Sequence, residues 1–265
     1  MSASATDSQA VDDLDRPYEQ LWTRVKVLLR HEFSAPQYWL PGLVFNALVV
    51  VAVWILIDPS IAHEHTALIF FPLAFASWVF ADVFVTNLFG NAPDRWRNSL
   101  DDGKAIRAEM TARNLAFWIL VSPICIALCI AIVPSQHDLV LGAAVFLMVL
   151  FVPFGYFGMA CLVAPLLPYH PLSVKERLTQ PGTWVRFGLA LLMPFLLTFP
   201  AAVVADLPVE VGIYFFGTKS SHMLIFAILT VPWALFLWQA LIGASAWLTG
   251  KRRDHIRKFL TTPGA

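Results

Sequence analysis

The sequence predicts an all-α integral membrane protein with six transmembrane helices, an N-terminal interfacial amphipathic helix and a re-entrant outer segment before the last helix. Three observations predict it. Of 265 residues, 58% are hydrophobic and only 14% charged, where a soluble domain carries roughly 45–50% and about 25%. Mostly apolar stretches of about 20 residues, the length a helix needs to cross some 30 Å of hydrocarbon, recur six times. The basic residues, finally, gather on alternate connections between those stretches. A cytosolic enzyme, a disordered chain and a nucleic-acid binder all fit this composition poorly.

The elements follow in chain order. Residues 1–15 are polar and acidic and are read as a flexible start; they lack the basic-then-apolar order of a cleavable signal peptide, so the segment is expected to stay on the protein. In residues 16–35, Leu14, Tyr18, Leu21, Trp22, Val25, Leu28, Leu29 and Phe33 recur at i, i+3, i+4 spacing, while Arg16, Glu19, Gln20, Arg24, Lys26 and Arg30 fill the other face. Such a helix lies flat at the cytoplasmic interface, its cations near anionic headgroups. Pro36 and Pro41 break the chain before it enters the bilayer. The six-helix domain occupies 36–250, with spans near Leu40–Ile57, Ala67–Leu88, Leu115–Pro134, Leu139–Leu167, Trp184–Ala205 and Met223–Thr249. The fourth is longer than one crossing requires and holds Pro153 and Pro165, which predicts tilt or a kink. Residues 251–265 form a basic tail.

Orientation follows from charge. Of the 18 Lys and Arg residues, 17 fall on the side of the two termini and only Lys219 on the other, so the positive-inside rule puts both termini in the cytoplasm. An even number of spans requires the same. The segment 199–222 is moderately apolar yet carries Pro200, Pro208, Gly212, Gly217, Asp206 and Glu210. Neither a full crossing nor an ordinary loop fits, and a re-entrant dip whose ends are covered by protein does. Asp206 and Glu210 are therefore candidates for a cargo route or an outer gate.

Within the spans, Asp82 and Asn46 are the polar residues of interest. Asp82 lies near the cytoplasmic end, where it can reach the interface or pair with a loop cation; Asn46 suits an interhelical hydrogen bond. Cys125, Cys129 and Cys161 all lie in apolar runs and point to neither a disulfide framework nor a zinc site. His63, Glu64 and His65 read as a solvated loop rather than a metal site. The run Gly243–Lys251, GASAWLTGK, has the wrong glycine spacing for a phosphate-binding loop, and Arg252 stands in place of its Ser or Thr. No metal site, no catalytic cluster and no buried acidic pair is expected.

The polar segment between the second and third spans, residues 90–113, is the most informative. It alternates Asp94, Asp101, Asp102 and Glu109 with Arg95, Arg97, Lys104, Arg107 and Arg113, around the apolar residues Trp96, Leu100, Ile106 and Met110. A mere connector needs only a few residues, whereas mixed charge around hydrophobic anchors is expected of a docking surface for a soluble partner. Trp96, Leu100, Ile106 and Arg107 are the residues expected to carry it.

The stretch from Asn87 to Ala116 resembles the segment joining spans two and three in permease subunits of type-2 ABC exporters. Asn87, Phe89 and Gly90 match the Asn-x-Phe-Gly element that closes the second span, and Arg113, Asn114, Leu115 and Ala116 match the Lys/Arg-Asn-Leu-Ala element that opens the third. Asn91-Ala92-Pro93-Asp94 stands where an acidic-Gly pair usually follows. The resemblance implies a non-enzymatic transport subunit in a bacterial plasma (inner) membrane. It implies a second permease subunit, identical or homologous, and two separate ABC ATPase subunits that bind ATP and Mg, with no cofactor in this chain. Residues 90–113 would be the coupling helix. The expected cargo is an amphipathic small molecule, drug or lipid. An integral membrane lipid-modifying enzyme and a structural anchor subunit are the alternatives.

Overall fold

The computed structural model describes residues 21–31, 40–57, 68, 70–80, 88–91, 96–97, 99–133, 138–168, 185, 189, 196, 204–216 and 219–261. Among the described residues the chain is all-helical. The helices are α1 (Leu21–His31), α2 (Leu40–Ile57), α3 (Phe71–Phe80), α4 (Leu88–Asn91), α5 (Gly103–Ile132), α6 (Leu139–Phe151), α7 (Pro153–Val163), α8 (Leu207–Phe216), α9 (Ser220–Lys251) and α10 (Arg253–Thr261). Three are long and apolar enough to cross a membrane: α5, the near-continuous pair α6–α7 and α9. Shorter apolar helices lie at Leu43–Leu56, Phe71–Phe80 and Leu207–Phe216. The fifth expected span falls almost wholly outside the described residues, as do Asp82, Asn87 and His63–His65.

Each long helix has a local cause. Asp102 caps α5 by accepting the Lys104 backbone N–H at 2.8 Å, and no breaker interrupts the chain until Pro123. The helix therefore starts at Gly103, twelve residues before the expected start of the third span. Its 30 residues measure roughly 45 Å at about 1.5 Å per residue, so its first turns extend the span beyond the hydrocarbon. Asp138 caps α6 through the Leu141 N–H at 2.9 Å. Pro153 then opens α7: lacking an N–H, it cannot continue the hydrogen-bond ladder of α6, and the break between α6 and α7 falls at one of the two prolines of the expected fourth span.

α9 is the central post, packed on α5, α6, α7 and α8. Against α7 the approach is close. A Cβ at Gly158 would lie 2.7 Å from Leu241 Cδ1, so only glycine lets these two helices meet as they do, the small-residue contact common between membrane helices. Aromatic rings fill the space beyond it. Phe154 and Trp238 lie 4.7 Å apart between centroids, and Phe80 meets Phe157 edge-on at 5.3 Å.

α1 shows where charge overrides the hydrophobic pattern. Val25 and Leu28 are buried as their spacing predicts, but Trp22 is 62% exposed while Arg24, expected on the polar face, is buried. The reason is Glu109 on α5, also buried, whose carboxylate accepts from Arg24 at 3.4 Å. α1 is thus turned so that its guanidinium meets that carboxylate. Removing one partner of a buried pair costs about 3–5 kcal/mol, whereas replacing both with apolar groups is often neutral. Arg24→Met alone should lower the unfolding midpoint of the purified chain, and adding Glu109→Leu should restore most of the loss. A double variant no more stable than the single one would show that the pair does not set the packing of α1.

Candidate functional site

The charged segment 90–113 is built around one carbonyl. Leu88 O accepts from the Trp96 indole Nε1 at 2.7 Å and from the Arg113 guanidinium at 3.3 Å. The Phe89 ring packs on Trp96 at 4.8 Å between centroids. The two ends of the segment, Phe89–Gly90 and Arg113–Ala116, are thereby brought together, and Phe89, Gly90, Arg113, Asn114 and Ala116 are all buried there. Next in line, the Asn114 amide lies 3.4 Å from Cys161 Sγ on α7, and Ser245 Oγ on α9 donates to the Cys161 carbonyl at 2.5 Å. A chain of polar contacts therefore runs from the segment's base into three helices.

Trp96, Leu100 and Ile106, the expected apolar anchors, are 0%, 2% and 0% exposed. They belong to this chain's own core, together with Ile256, Phe259 and Leu260 of α10. α10 occupies what the sequence reads as a basic tail. The i, i+3, i+4 spacing of Ile256, Phe259 and Leu260 is the signal that could have marked it as a helix able to pack, and the sequence reading missed it. Arg257 fixes it with a bidentate bond to Asp101, both contacts 2.8 Å, and Arg97 donates to the Leu260 carbonyl. What the segment presents to water is charge: Arg97, Asp101, Asp102, Lys104 and Arg107 are all exposed. Lys104 and Arg107 border a groove of about 620 Å³ whose other wall carries Gly243, Trp247, Gly250 and Lys251. Arg107 reaches Gln239 Oε1 at 3.2 Å, and the Lys251 ammonium sits 4.1 Å above the Trp247 ring.

At the other end of α9 lies a cavity of about 370 Å³, lined by Asp206 and Glu210 beneath apolar side chains from α3, α6, α8 and α9. Asp206 stands at the head of α8, its carbonyl accepting the Val209 and Glu210 N–H groups at 2.8 and 3.0 Å. The sequence placed both carboxylates in this segment, but no local signal marked Phe70, Leu73, Leu141, Met148 or Met223 as their neighbours, because packing of distant helices assembles them. α8 seats closely on α9: a Cβ at Gly212 would fall 2.1 Å from Phe226 Cδ2 and 2.3 Å from its Cγ. Tyr214, Phe215 and Phe216 of α8 point outward, 83%, 70% and 59% exposed, as aromatic residues do at a membrane interface. Asn46 on α2 is buried. Among the described residues, no group of three or more His, Cys, Asp or Glu could hold a metal ion, and the three cysteines are buried free thiols.

Among the described residues, fold and site together define an all-helical chain with three helices long and apolar enough to cross a membrane, a charged face around residues 97–107 and a carboxylate-lined cavity at the opposite end of α9. No protein-family model, curated protein or solved structure matches the chain.

The Gly212 contact yields a direct test. Gly212→Ala should push α8 off α9, an overpacking cost of about 1–3 kcal/mol. Amide hydrogen exchange in residues 207–216 should accelerate while exchange in the central part of α9 stays unchanged; equal protection in both proteins would contradict the close approach.

Proposed function

We propose that the chain is the membrane-spanning permease subunit of an ATP-driven ABC exporter of the type-2 class. In this reading it crosses a bacterial plasma membrane six times with both termini in the cytoplasm, and the outer segment 199–222 is re-entrant. It pairs with a second permease subunit and with two ATPase subunits that bind ATP and Mg. It moves an amphipathic small molecule, drug or lipid outward. The chain performs no covalent step.

The observation that carries this reading is the closure of segment 90–113 at the Leu88 carbonyl, joined to its unbroken continuation into α5. A push on an exposed, internally locked surface at Gly103–Arg107 would travel along a continuous helix into the bilayer instead of being absorbed by a loop. Arg113, Asn114, Cys161 and Ser245 would pass it on to α7 and α9. With Trp96, Leu100 and Ile106 buried, their role in this reading is to hold the shape of the docking surface, and the partner is met by Arg97, Asp101, Lys104 and Arg107. Coupling is then mechanical and electrostatic.

Affinity capture of the full chain from its native membrane should bring down an ATPase. The double variant Lys104→Glu/Arg107→Glu should reduce the captured ATPase activity to a tenth or less, about 1.4 kcal/mol or more of coupling, with the same amount of chain in the membrane. Capture without ATPase activity, or activity unchanged by charge reversal, would sink the proposal.

The topology has its own test. With the native cysteines replaced by alanine, Glu210→Cys and Lys219→Cys should react with an impermeant thiol reagent from outside, and Lys251→Cys only after the cytoplasmic face is opened. Labelling of Lys219→Cys from the cytoplasmic face alone would overturn the six-span reading.

A further inference from the structure

The outer cavity combines features that rarely coexist without a ligand. Its walls are apolar, supplied by Phe70 and Leu73, by Leu141 and Met148, and by Val209, Ile213 and Met223, and its volume of about 370 Å³ falls in the range of small-molecule sites. Asp206 faces into it, yet its Oδ1 is shut off from solvent with no hydrogen-bond partner. Among the described residues no basic side chain forms an ion pair with Asp206 or Glu210. A desolvated carboxylate without a donor is costly, and a cation that brings its own charge into the cavity removes that cost. Two carboxylates are too few oxygen ligands for a dehydrated Ca²⁺ or Mg²⁺. A quaternary or protonated amine needs no such shell and gains from an aromatic face such as Phe70.

We infer that this cavity binds an amphipathic organic cation, its ammonium head against Asp206 and Glu210 and its apolar body against Phe70, Leu73 and Met148. That such a cation is the exported cargo rests on the exporter reading; that it binds does not, and the experiment reads binding alone.

The full chain, in nanodiscs of zwitterionic phosphatidylcholine and without any ATPase, is titrated with radiolabelled benzyltrimethylammonium. Binding should saturate at one site per chain, and neopentylbenzene, the uncharged isostere, should not displace the label. Asp206→Asn should weaken binding at least about tenfold, as for a lost partner of a buried charge pair. Glu210→Gln, at an exposed position that packing does not need, should weaken it less but measurably, and Ile213→Trp should fill the space and block it. The inference is overturned if binding does not saturate, if the neutral isostere competes equally, if Mg²⁺ alone displaces the cation at equal concentration, or if Glu210→Gln and a correctly folded Asp206→Asn both bind as the parent does. A chain that binds the cation but captures no ATPase would keep this inference and end the exporter reading.

Discussion

The carbonyl of Leu88 is the acceptor on which the charged end of this protein is organised. It stands at the start of a four-residue helix, α4, too short to satisfy its own backbone, and it is buried beneath Phe89 and Trp96. A buried carbonyl without a donor costs several times what a satisfied bond contributes. Here two donors arrive from further along the chain, the Trp96 indole from eight residues on and the Arg113 guanidinium from twenty-five. Their meeting fixes the distance between the end of one apolar stretch and the beginning of the next. Once it is fixed, Trp96 has no freedom to face solvent, and Leu100, Ile106 and α10 close over it. The charged exterior of the segment is a consequence of this: Trp96, Leu100, Ile106 and Met110 lie inside, and among the described residues Arg97, Asp101, Asp102, Lys104 and Arg107 are exposed.

Burial also explains the polar thread through the helices. Arg113, Asn114, Ser245 and Thr249 are all buried. In a low-dielectric interior each such group is tolerable only if matched. Asn114 meets the Cys161 thiol, Ser245 bonds to the Cys161 backbone, and Thr249 Oγ1 bonds back to the Ser245 carbonyl at 2.8 Å. These bonds hold α5, α7 and α9 in register at the Lys251 end of α9, where Arg252 also reaches the Pro165 carbonyl at 2.6 Å. Glu109 and Arg24 do the same for α1. Dispersion and small residues would let such helices slide; directed bonds do not.

How far the sequence could be read follows from what each feature depends on. Long apolar helices depend on composition and length, so α5, α6–α7 and α9 were legible almost to their ends, and Pro153 announced its break. The start of α5 was not, because the polarity of residues 103–113 reads as a loop, and only the Asp102 cap and the absence of a breaker show that the helix extends through them. The faces of α1 were misjudged at Arg24 and Trp22, since periodicity knows nothing of Glu109, eighty-five residues away. Trp96, Leu100 and Ile106 stood out as apolar residues in a charged segment and were expected to carry a docking surface, whereas the structure buries them in this chain's own core. That is a tertiary fact: α10 and the base of the segment lie close enough to take them. The cavity at Asp206 was half legible. Asp206 and Glu210 stood out as carboxylates in an apolar setting, but the Phe70, Met148 and Met223 walls come from three other helices and leave no mark in local sequence.

The two ends of α9 consequently differ in kind. At the Lys251 end, directed bonds from Arg24, Trp96, Arg113 and Arg257 tie α1, α4, α5 and α10 to one another, although Arg24 Nε and Arg113 Nε and Nη2 have no hydrogen-bond partner. At the Ser220 end α8 rests on α9 through the glycine contact at Gly212 and through apolar side chains, and a carboxylate oxygen of Asp206 stays without a donor. Apolar contacts are non-directional and tolerate small displacements; a matched buried ion pair does not. A polar partner entering the cavity would change that difference, since it would give Asp206 the directed contact that Asn114 and Ser245 already have.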